Sequence, residues 1–472
     1  MSVRHGVRGK NPLLRLAAVS ALVAAPLITL AASGEAAQML PPLGPCTGSC
    51  PDTWQPPHTG PFVGEDATLN VFVGGDYLVR ENAAEAEGKI AILGKLDIAK
   101  GNGGAFNMGV VGVGSMVTPP NATDHVTVGS SAFMENNPAK DNPSRLFIGG
   151  TDFFVNPPTA RWGNLVYGTT LTGLYDITPQ GQAIQNPAAI DEFTPLRPII
   201  EHHSACMWAQ AATGTVDPSG DTVVFTGDGT SARQVFNYAG NIGTSAQAVQ
   251  HIRFDNIPSG ATVIVNMTGT DVSVYTDSGS GNADDPLATL RPNLMWNFPL
   301  ATQVTVGGTA QWQGSIMTGQ EASNTTLSNP GTNGRVYLAG NLLQQGSAGT
   351  EIHNYPFDGD LPVCGESPSP SPSPSNSESP SPSPSPSPSP SNSESPSPSP
   401  SPSPSQSTSP VPSPSPSTPH PPAPTWTPTR PPLPDTGGGD LVAPAAGAAA
   451  VLLGLGGGVI ALARRARRGR HG

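Results

Sequence analysis

The chain has 472 residues, including 55 glycines and 55 prolines, and a formal net charge of −12 at pH 7. Residues 38–365 hold 12 Lys and Arg against 28 Asp and Glu, a net charge of −16 with no basic stripe, so nucleic acid is not expected as a partner. No nucleophile-elbow, zinc-protease or phosphate-loop motif occurs, so the sequence offers no catalytic residue and no cofactor site.

Residues 1–37 have the pattern of a secretory signal peptide. Four basic residues among the first fifteen precede an apolar run over 16–32, and small residues follow as far as Ala37. This order is typical of leaders that are removed on export. We expect cleavage between Ala32 and Ala37, and an uncleaved signal anchor is the alternative.

Short apolar segments that end in glycine recur in the domain over residues 38–365. They are Val71–Gly74, Ile92–Gly94, Val113–Gly114, Val126–Gly129, Leu146–Gly149, Val304–Gly307 and Val336–Gly340. Such β-branched triplets predict strands, and we expect each glycine to turn a corner with a positive φ. The first five glycines step by 20, 20, 15 and 20 residues, as the coils of a β-solenoid would. The predicted fold class is therefore mainly β, a β-solenoid-like domain, with an antiparallel sandwich as the alternative.

One stretch departs from the strand pattern. Residues 190–193 and then 198–212 space their apolar side chains as a helix does. Pro198 suits a first helical turn and Gly214 a stop, so we expect one long helix, in one or two pieces, packed along the β body. Three of its side chains are expected to pack or to lie at the surface rather than to form a site: His202, His203 and Trp208.

All four cysteines lie in this domain: Cys46, Cys50, Cys206 and Cys364. An even number in an exported chain predicts two disulfides. Cys46–Cys50 with Cys206–Cys364 is one possible pairing, and a bond from Cys46 or Cys50 to Cys364 would instead close the domain at its ends. Zinc is the competing idea, but the spacing fits no standard zinc site, so no metal is expected.

Residues 366–432 are mostly Ser-Pro dipeptides, and Ser375–Ser379 recurs as Ser391–Ser395. The segment has almost no apolar side chains to bury, so it is expected to remain disordered. Alternating proline favours polyproline II at roughly 3.1 Å per residue, which gives a reach of up to roughly 200 Å. We interpret it as a stalk that crosses the cell wall.

Residues 433–472 contain three features in order: a pentapeptide, an apolar stretch over 441–463 and an arginine-rich tail. The pentapeptide is Leu433, Pro434, Asp435, Thr436 and Gly437. The apolar stretch is long enough to cross a membrane as a helix, and the tail would hold its end in the cytoplasm. This order resembles the LPXTG sorting signal of Gram-positive, actinobacterial-type cell-wall proteins, and an ordinary membrane anchor is the alternative.

The resemblance implies two partners, a sortase and peptidoglycan. A sortase thiol would attack the Thr436 carbonyl, release Gly437 onward and join Thr436 to a peptidoglycan amine. The membrane would then be a partner only transiently, through the helix over 441–463, and the protein would end at the cell surface, covalently attached to the wall.

Seven further segments lie between residues 60 and 357. They are Asn70–Tyr77, Glu87–Gly94, Ile257–Asn266, Leu294–Pro299, Gln313–Met317, Gly334–Asn341 and His353–Phe357. Together they resemble the choice-of-anchor A domain family, which joins one exported domain to varied anchors and is described as adhesive, sometimes collagen-binding. They also resemble ice-binding β-solenoids, which carry a single helix alongside. The resemblance supplies no catalytic residue.

Several further residues of the domain have expected structural roles. Trp296, Phe298 and Trp312 are large enough to fill a solenoid core. His353–Tyr355 is expected to cap the end of the solenoid, and the oxygen-rich residues 276–285 to form a solvated turn rather than a calcium loop.

The sequence therefore predicts a wall-attached protein, not an enzyme, that displays an adhesive domain for an extracellular ligand such as a matrix protein or glycan. An enzyme acting on polysaccharide is one alternative. It requires charged residues clustered in one groove, whereas the Lys and Arg of this domain are scattered. A passive coat component of the wall is the other.

Overall fold

Three parallel β-sheets wind around one apolar core in the computed structural model, which describes residues 36–138, 142–347 and 349–365. Successive strands of the chain enter the three sheets in turn, so the domain is a three-sided β-solenoid and the sandwich alternative is wrong. We number the sheets 1 to 3 in the order in which the chain first enters them.

The strands of each sheet are given in spatial order. Sheet 1 contains Ala183–Gln185, Asn164–Tyr167, Asp124–Val128, Lys89–Ile92, Leu69–Val73, Val336–Leu338, Ser315–Thr318, Leu294–Phe298, Thr262–Met267 and Arg233–Tyr238. Sheet 2 contains Leu171–Thr172, Ala132–Met134, Leu96–Ala99, Tyr77–Arg80, Asn341–Gln344, Asn324–Leu327, Gln303–Gly308 and Asp271–Thr276. Sheet 3 contains Leu174–Ile177, Ser144–Ile148, Gly104–Gly109, Glu85–Glu87, Glu351–His353, Gly331–Asn333 and Gln311–Gln313.

Shorter pieces decorate this body. The paired strands are Ala36–Ala37 with Leu361–Pro362, Gly64–Glu65 with Val117–Thr118, Gly150–Asp152 with Thr159–Arg161, and the three-stranded set Thr215–Asp217, Thr222–Thr226 and His251–Asp255. The helices are the α-helices Leu196–Trp208 and Pro286–Leu290 and the 3-10 helices Pro187–Ile190 and Arg291–Asn293.

The chain enters the solenoid in its middle rather than at an end. Leu69–Val73 pairs with Lys89–Ile92 on one side and with Val336–Leu338 on the other. The first half coils outward to Ala183–Gln185, and the second half starts at the opposite end and coils back to the middle. The two halves therefore meet at a central seam in all three sheets.

Side chains alternate between the inside and the outside of each sheet, as strand geometry requires. Apolar residues from all three sheets meet inside as one core. Trp296 and Trp312 are only 1% and 2% exposed, and their ring centroids lie 4.8 Å apart; Phe298 is buried with them. The expected role of these three aromatic residues is confirmed.

The coils are less regular than the glycine spacing predicted. Val73 pairs with Ile92, about twenty residues later, but Ile92 pairs with Val128 and Val128 with Tyr167, so these coils are almost twice as long. Val113–Gly114 is not a strand and lies in an insertion between strands. The solenoid was predicted correctly, whereas a constant twenty-residue step was not.

The corner glycines serve close packing between coils. Among the expected corners, Gly149 has a positive φ of 81°, but Gly74, Gly94 and Gly129 do not. A Cβ on Gly129 would lie 2.3 Å from the carbonyl oxygen of Leu93 in the previous coil, which no side chain could tolerate. Glycine is required at these three corners because neighbouring backbones touch, so the expected reason was wrong there.

The long helix Leu196–Trp208 packs on the outer face of sheet 1. Leu196, Ile200 and Met207 form a second apolar cluster with outward side chains of the sheet, including Phe72 and Tyr337. The prediction of a helix along the β body is confirmed, with Pro187–Ile190 as a separate 3-10 turn before it. The helix begins at Leu196, two residues before Pro198. Proline is tolerated at this position because the first four N–H groups of a helix have no partner within it.

Two disulfides are formed, Cys46–Cys50 and Cys206–Cys364. The second joins the long helix to the last described residues of the domain, and the alternative pairing across the ends is not present.

The described residues include no helix long and apolar enough to span a bilayer. Apart from Ala36 and Ala37, the expected signal peptide lies outside the described residues. So do the stalk over 366–432, the pentapeptide Leu433, Pro434, Asp435, Thr436 and Gly437, the apolar stretch 441–463 and the basic tail.

Candidate binding surface

The outer faces of the three sheets differ in what covers them. The outward side chains of sheet 1 are buried beneath the long helix and the N-terminal segment. In the middle of sheet 3, outward residues such as Glu85 and Glu87 are buried because the insertion over 110–118 lies on them. The central row of outward side chains on sheet 2 keeps contact with solvent in every described strand. We call the outer surface of sheet 2 the open face.

One row of side chains crosses the open face from coil to coil. In spatial order it is Thr172, Phe133, Asp97, Leu78, Leu343, Thr326, Thr305 and Ser273. The strand spacing of roughly 4.8 Å sets the repeat along this row. Three hydroxyl groups therefore stand at regular intervals in the second half of the solenoid.

A row of amides and carboxylates runs beside the hydroxyl row. Asp271, Gln303, Asn324 and Asn341 occupy matching positions in successive strands. Asn341 Nδ2 donates to Asn324 Oδ1 at 3.0 Å, and Asn341 Oδ1 accepts from the N–H of Asp76 at 2.7 Å. These bonds hold the side chains of Asn324 and Asn341, so this half of the open face presents polar groups that repeat from coil to coil.

The other half of the open face carries charge. Asp97 lies 3.0 Å from Arg80 Nη1 and 3.5 Å from Lys95 Nζ, in the coils just beyond the seam. Phe133, 40% exposed, follows in the next coil. The hydroxyl row is thus interrupted by two leucines, an ion pair and an aromatic ring, and no regular threonine array crosses the whole face.

The covered face of sheet 3 contains a buried acidic group that sequence reasoning did not find. Glu85 accepts hydrogen bonds from the N–H groups of Gly112 and Val113, and Glu351 lies beside it across the seam. Burial, with repulsion from Glu351 as the second cause, raises the pKa of Glu85 well above its usual range. The sequence signal is the alternation of charged, apolar and charged residues in Glu85–Glu87 and Glu351–His353.

The neighbouring Glu87 is buried as well. It accepts from Ser115 N at 2.9 Å and from Asn354 N at 2.8 Å, while burial raises its pKa. A glycosidase needs two carboxylates that flank an open groove. Glu85 and Glu87 lie under backbone and do not flank such a groove.

His353–Tyr355 does not cap the solenoid, and that expectation was wrong. The strand Glu351–His353 lies in the middle of sheet 3, between Glu85–Glu87 and Gly331–Asn333. Although it is among the last residues of the domain, this strand does not lie at an end of the sheet. The chain instead finishes at the central seam.

A buried ion pair holds the N-terminal segment against the solenoid. Arg335 and Asp66 are both fully buried and lie 2.7 Å apart. Arg335 Nε also donates to the carbonyl of Gly44, and Asp66 Oδ1 accepts from the N–H groups of Thr47 and Thr68. The sequence signal was the single arginine at the head of the apolar run Gly334–Asn341.

A cavity of about 590 Å³ lies where the described chain begins and ends. Leu40, Ile199 and Val363 give it mostly apolar walls, and His202 and His203 also line it. Burial, followed by repulsion from His202, lowers the pKa of His203 to about 4, so this imidazole is neutral at pH 7. Trp208 is 43% exposed, in agreement with the surface position expected for it.

The oxygen-rich residues 276–285 form a turn that leads into a short helix. Asp285 caps that helix, accepting from Leu287 N at 2.8 Å and from Ser280 N at 2.7 Å. Asp277 pairs with His251 at 2.6 Å. The carboxylates of Asp277 and Asp285 therefore make local contacts within and beside the turn.

Comparison with known proteins gives a family for the solenoid. No curated protein matches the chain. A solved structure, the "Shewanella frigidimarina ice-binding protein_1 DUF3494 Domain", is 13% identical and covers 64% of this chain and 100% of its own, at a TM-score of 0.26. The profile of the family described as "Putative Ice-binding-like adhesive domain" matches residues 64–354, most of the described solenoid. The chain belongs to that ice-binding-like adhesive domain family.

Proposed function

We propose that the domain is an adhesive module and that the open face of sheet 2 is its contact surface. The observation that carries this proposal is the difference in cover between the faces, since sheet 1 and the middle of sheet 3 are buried under other segments of the chain. The description of the family names binding and adhesion and no reaction, which supports a surface-binding role over an enzymatic one.

The geometry of the open face favours an extended, repetitive ligand. Hydroxyl groups on Ser273, Thr305 and Thr326 and amides on Asn324 and Asn341 repeat with the strand spacing, so they can bond to groups that repeat along a polymer. The interruption at Asp97 limits any regular contact to the second half of the face. A surface glycan or a matrix protein such as collagen fits this pattern better than a continuous crystal plane.

The test uses the full-length protein and a defined set of probes: insoluble cellulose and chitin, collagen fibrils, and ice in a recrystallisation assay. The double variant Thr305→Lys with Thr326→Lys places two charges in the hydroxyl row and should reduce binding to the preferred probe at least tenfold. The matched control is Thr159→Lys with Thr230→Lys, two exposed threonines outside sheet 2.

Equal binding by the two double variants would contradict the role of the open face. Failure of the wild-type protein to bind any probe would favour a passive coat component. Release of reducing ends from a glycan probe would favour the enzymatic alternative.

We further propose that the protein is exported and attached to peptidoglycan through Thr436, as a stalked surface protein of the choice-of-anchor A type. The support is in the sequence: a leader over 1–37, a Ser/Pro stalk over 366–432, the pentapeptide ending at Gly437, and the apolar and basic segments after it. In this proposal a sortase is a transient partner and the membrane holds the chain only until cleavage.

The attachment proposal is tested by Thr436→Ala in the native host. Because the Thr436 side chain is part of the pentapeptide that a sortase would recognise, the variant should move from the wall fraction to the membrane or the medium. Thr408→Ala, the same substitution at a threonine of the stalk, serves as the control and should leave the distribution unchanged. Retention of the Thr436→Ala variant in the wall fraction would refute the proposal.

A further inference from the structure

The covered face of sheet 3 brings together two carboxylates and an imidazole at the central seam. Glu85, Glu351 and His353 each offer one ligand atom, and these three atoms all lie within 4.8 Å of one another. Glu85 belongs to the first half of the solenoid, and Glu351 and His353 to the second. The group therefore spans the two halves.

The imidazole of His353 is oriented by a neighbour. Its Nδ1 lies 2.7 Å from Asn333 Oδ1, an acceptor, so Nδ1 carries a hydrogen. Its Nε2 then points at Glu351 Oε2, at 3.1 Å. Metal-binding histidines usually donate one ring N–H to such an oxygen and ligate through the other nitrogen. Nε2 is thus positioned as a ligand.

A second observation comes from Asn107, the residue paired with Glu85 in the next coil outward. Its amide reaches Glu85, with Nδ2 at 3.4 Å from Glu85 Oε2, and the side chain is only 4% exposed. The Oδ1 of this amide has no hydrogen-bond partner among the described residues. A buried polar oxygen without a partner costs free energy unless something bonds to it. Rotating the amide would turn this oxygen toward Glu85 in exchange for the long Nδ2 contact, which a cation bound to Glu85 would make dispensable.

Charge also favours a cation here. The carboxylates of Glu85 and Glu351 lie side by side across the seam, and two like charges at this distance repel. A bound divalent cation would offset this repulsion. Access exists on one side, because the Glu351 side chain is 12% exposed while His353 is fully buried.

We propose that Glu85, Glu351 and His353 bind one divalent cation of the Zn²⁺ or Mn²⁺ class, with Asn107 Oδ1 as an additional oxygen ligand. One nitrogen and several oxygens suit these ions, whereas Ca²⁺ requires six to eight oxygen ligands. The cation would tie the two halves of the solenoid together at the seam.

The experiment titrates chelator-treated, full-length protein with ZnCl₂ and with MnCl₂ by calorimetry, with CaCl₂ as the comparison. We expect one saturable site for Zn²⁺ or Mn²⁺ that Ca²⁺ does not fill. Glu351→Gln should weaken that site at least tenfold, and so should Glu85→Gln. The partly exposed Glu351 is the safer variant for folding. The same ion should raise the Tm of the wild-type protein but not of Glu351→Gln, because it stabilises only a fold that binds it.

The matched control is His251→Gln. His251 and Asp277 form a histidine–carboxylate pair in the same domain, but they are not part of a three-residue cluster in the described residues. This variant should keep the wild-type affinity and the Tm shift. No saturable binding in the wild-type protein, or equal affinity in Glu351→Gln, would overturn the proposal.

Discussion

His125 illustrates how burial of a single side chain makes the fold depend on pH. It is fully buried, and its Nε2 donates to the carbonyl of Pro120 at 3.2 Å. Burial lowers its pKa to about 4; Lys89 adds to this effect, while the bond to Pro120 and the charge of Asp124 oppose it. The imidazole is therefore neutral in the folded protein near pH 7.

The folded protein should lose stability when the pH falls from 6.5 to 4. In this range the unfolded chain binds a proton at His125 and the folded chain does not, so acid favours unfolding. The shift from 6.5 to about 4 corresponds to a loss on the order of 3 kcal/mol at the acid end. His125→Gln, which cannot titrate, should flatten the slope of unfolding free energy against pH measured by urea denaturation. An unchanged slope would show that other groups cause the acid sensitivity.

At the scale of elements, buried asparagines fix the long helix on sheet 1. Asn297 Nδ2 donates to the carbonyl of Ser204 at 2.9 Å and to Asn266 Oδ1 at 2.8 Å. Asn266 Nδ2 in turn donates to the carbonyl of Met207, near the helix end. Asn266 and Asn297 are paired in adjacent strands, so the sheet sets the position of the helix along its face.

Asn297→Ala should destabilise the domain by about 2–3 kcal/mol, because it leaves buried groups of Ser204 and Asn266 without partners. The measurement is the midpoint of urea unfolding. Asn324→Ala removes a similar amide–amide bond on the exposed surface of sheet 2 and should cost less than about 0.5 kcal/mol. Comparable losses from the two variants would mean that the hydrogen bonds of the buried asparagines do not hold the helix.

The sequence predicted these elements because their signals are local. Triplets such as Val71–Val73 show the strand alternation, and the apolar spacing over 198–212 shows the helix. The length of a coil is not local, since insertions such as 110–118 leave the strands on either side unchanged. The pairing of Val71 with Val336 could not be predicted for the same reason: nothing near either residue specifies a partner so distant in the chain.

The sequence could predict the type of surface but not the residues that form it. The expectation of an adhesive domain came from resemblance, whereas the open face depends on which sheets the helix and insertions cover. Thr305 and Thr326 lie in different apolar segments, and only the coil register places them side by side. The cluster of Glu85 and Glu351 likewise arises from contact across the seam.

At the scale of the whole molecule, the Cys206–Cys364 disulfide closes a long section of chain. The sequence separation is 158 residues, against 4 for Cys46–Cys50. In the chain-entropy view a crosslink stabilises by restricting the unfolded state, and the effect grows slowly with loop length. The long link should therefore contribute more than the short one.

Replacing Cys206 and Cys364 together by serine should lower the unfolding free energy by about 5 kcal/mol, and replacing Cys46 and Cys50 together by about 2 kcal/mol. Urea unfolding of the two double variants against the wild-type protein measures both losses. An equal or smaller loss for the long link would show that its effect lies mainly in the folded state.

The same link also determines where mechanical tension would enter the domain. Under the proposed wall attachment, a pull along the stalk arrives at Cys364, just after the terminal strand Leu361–Pro362. The disulfide passes that force to Cys206 in the helix, so Leu361–Pro362 does not carry the load alone. With the disulfide intact, the last residues of the domain would stay attached to the helix under load. Reduction of the disulfide would allow these residues to extend.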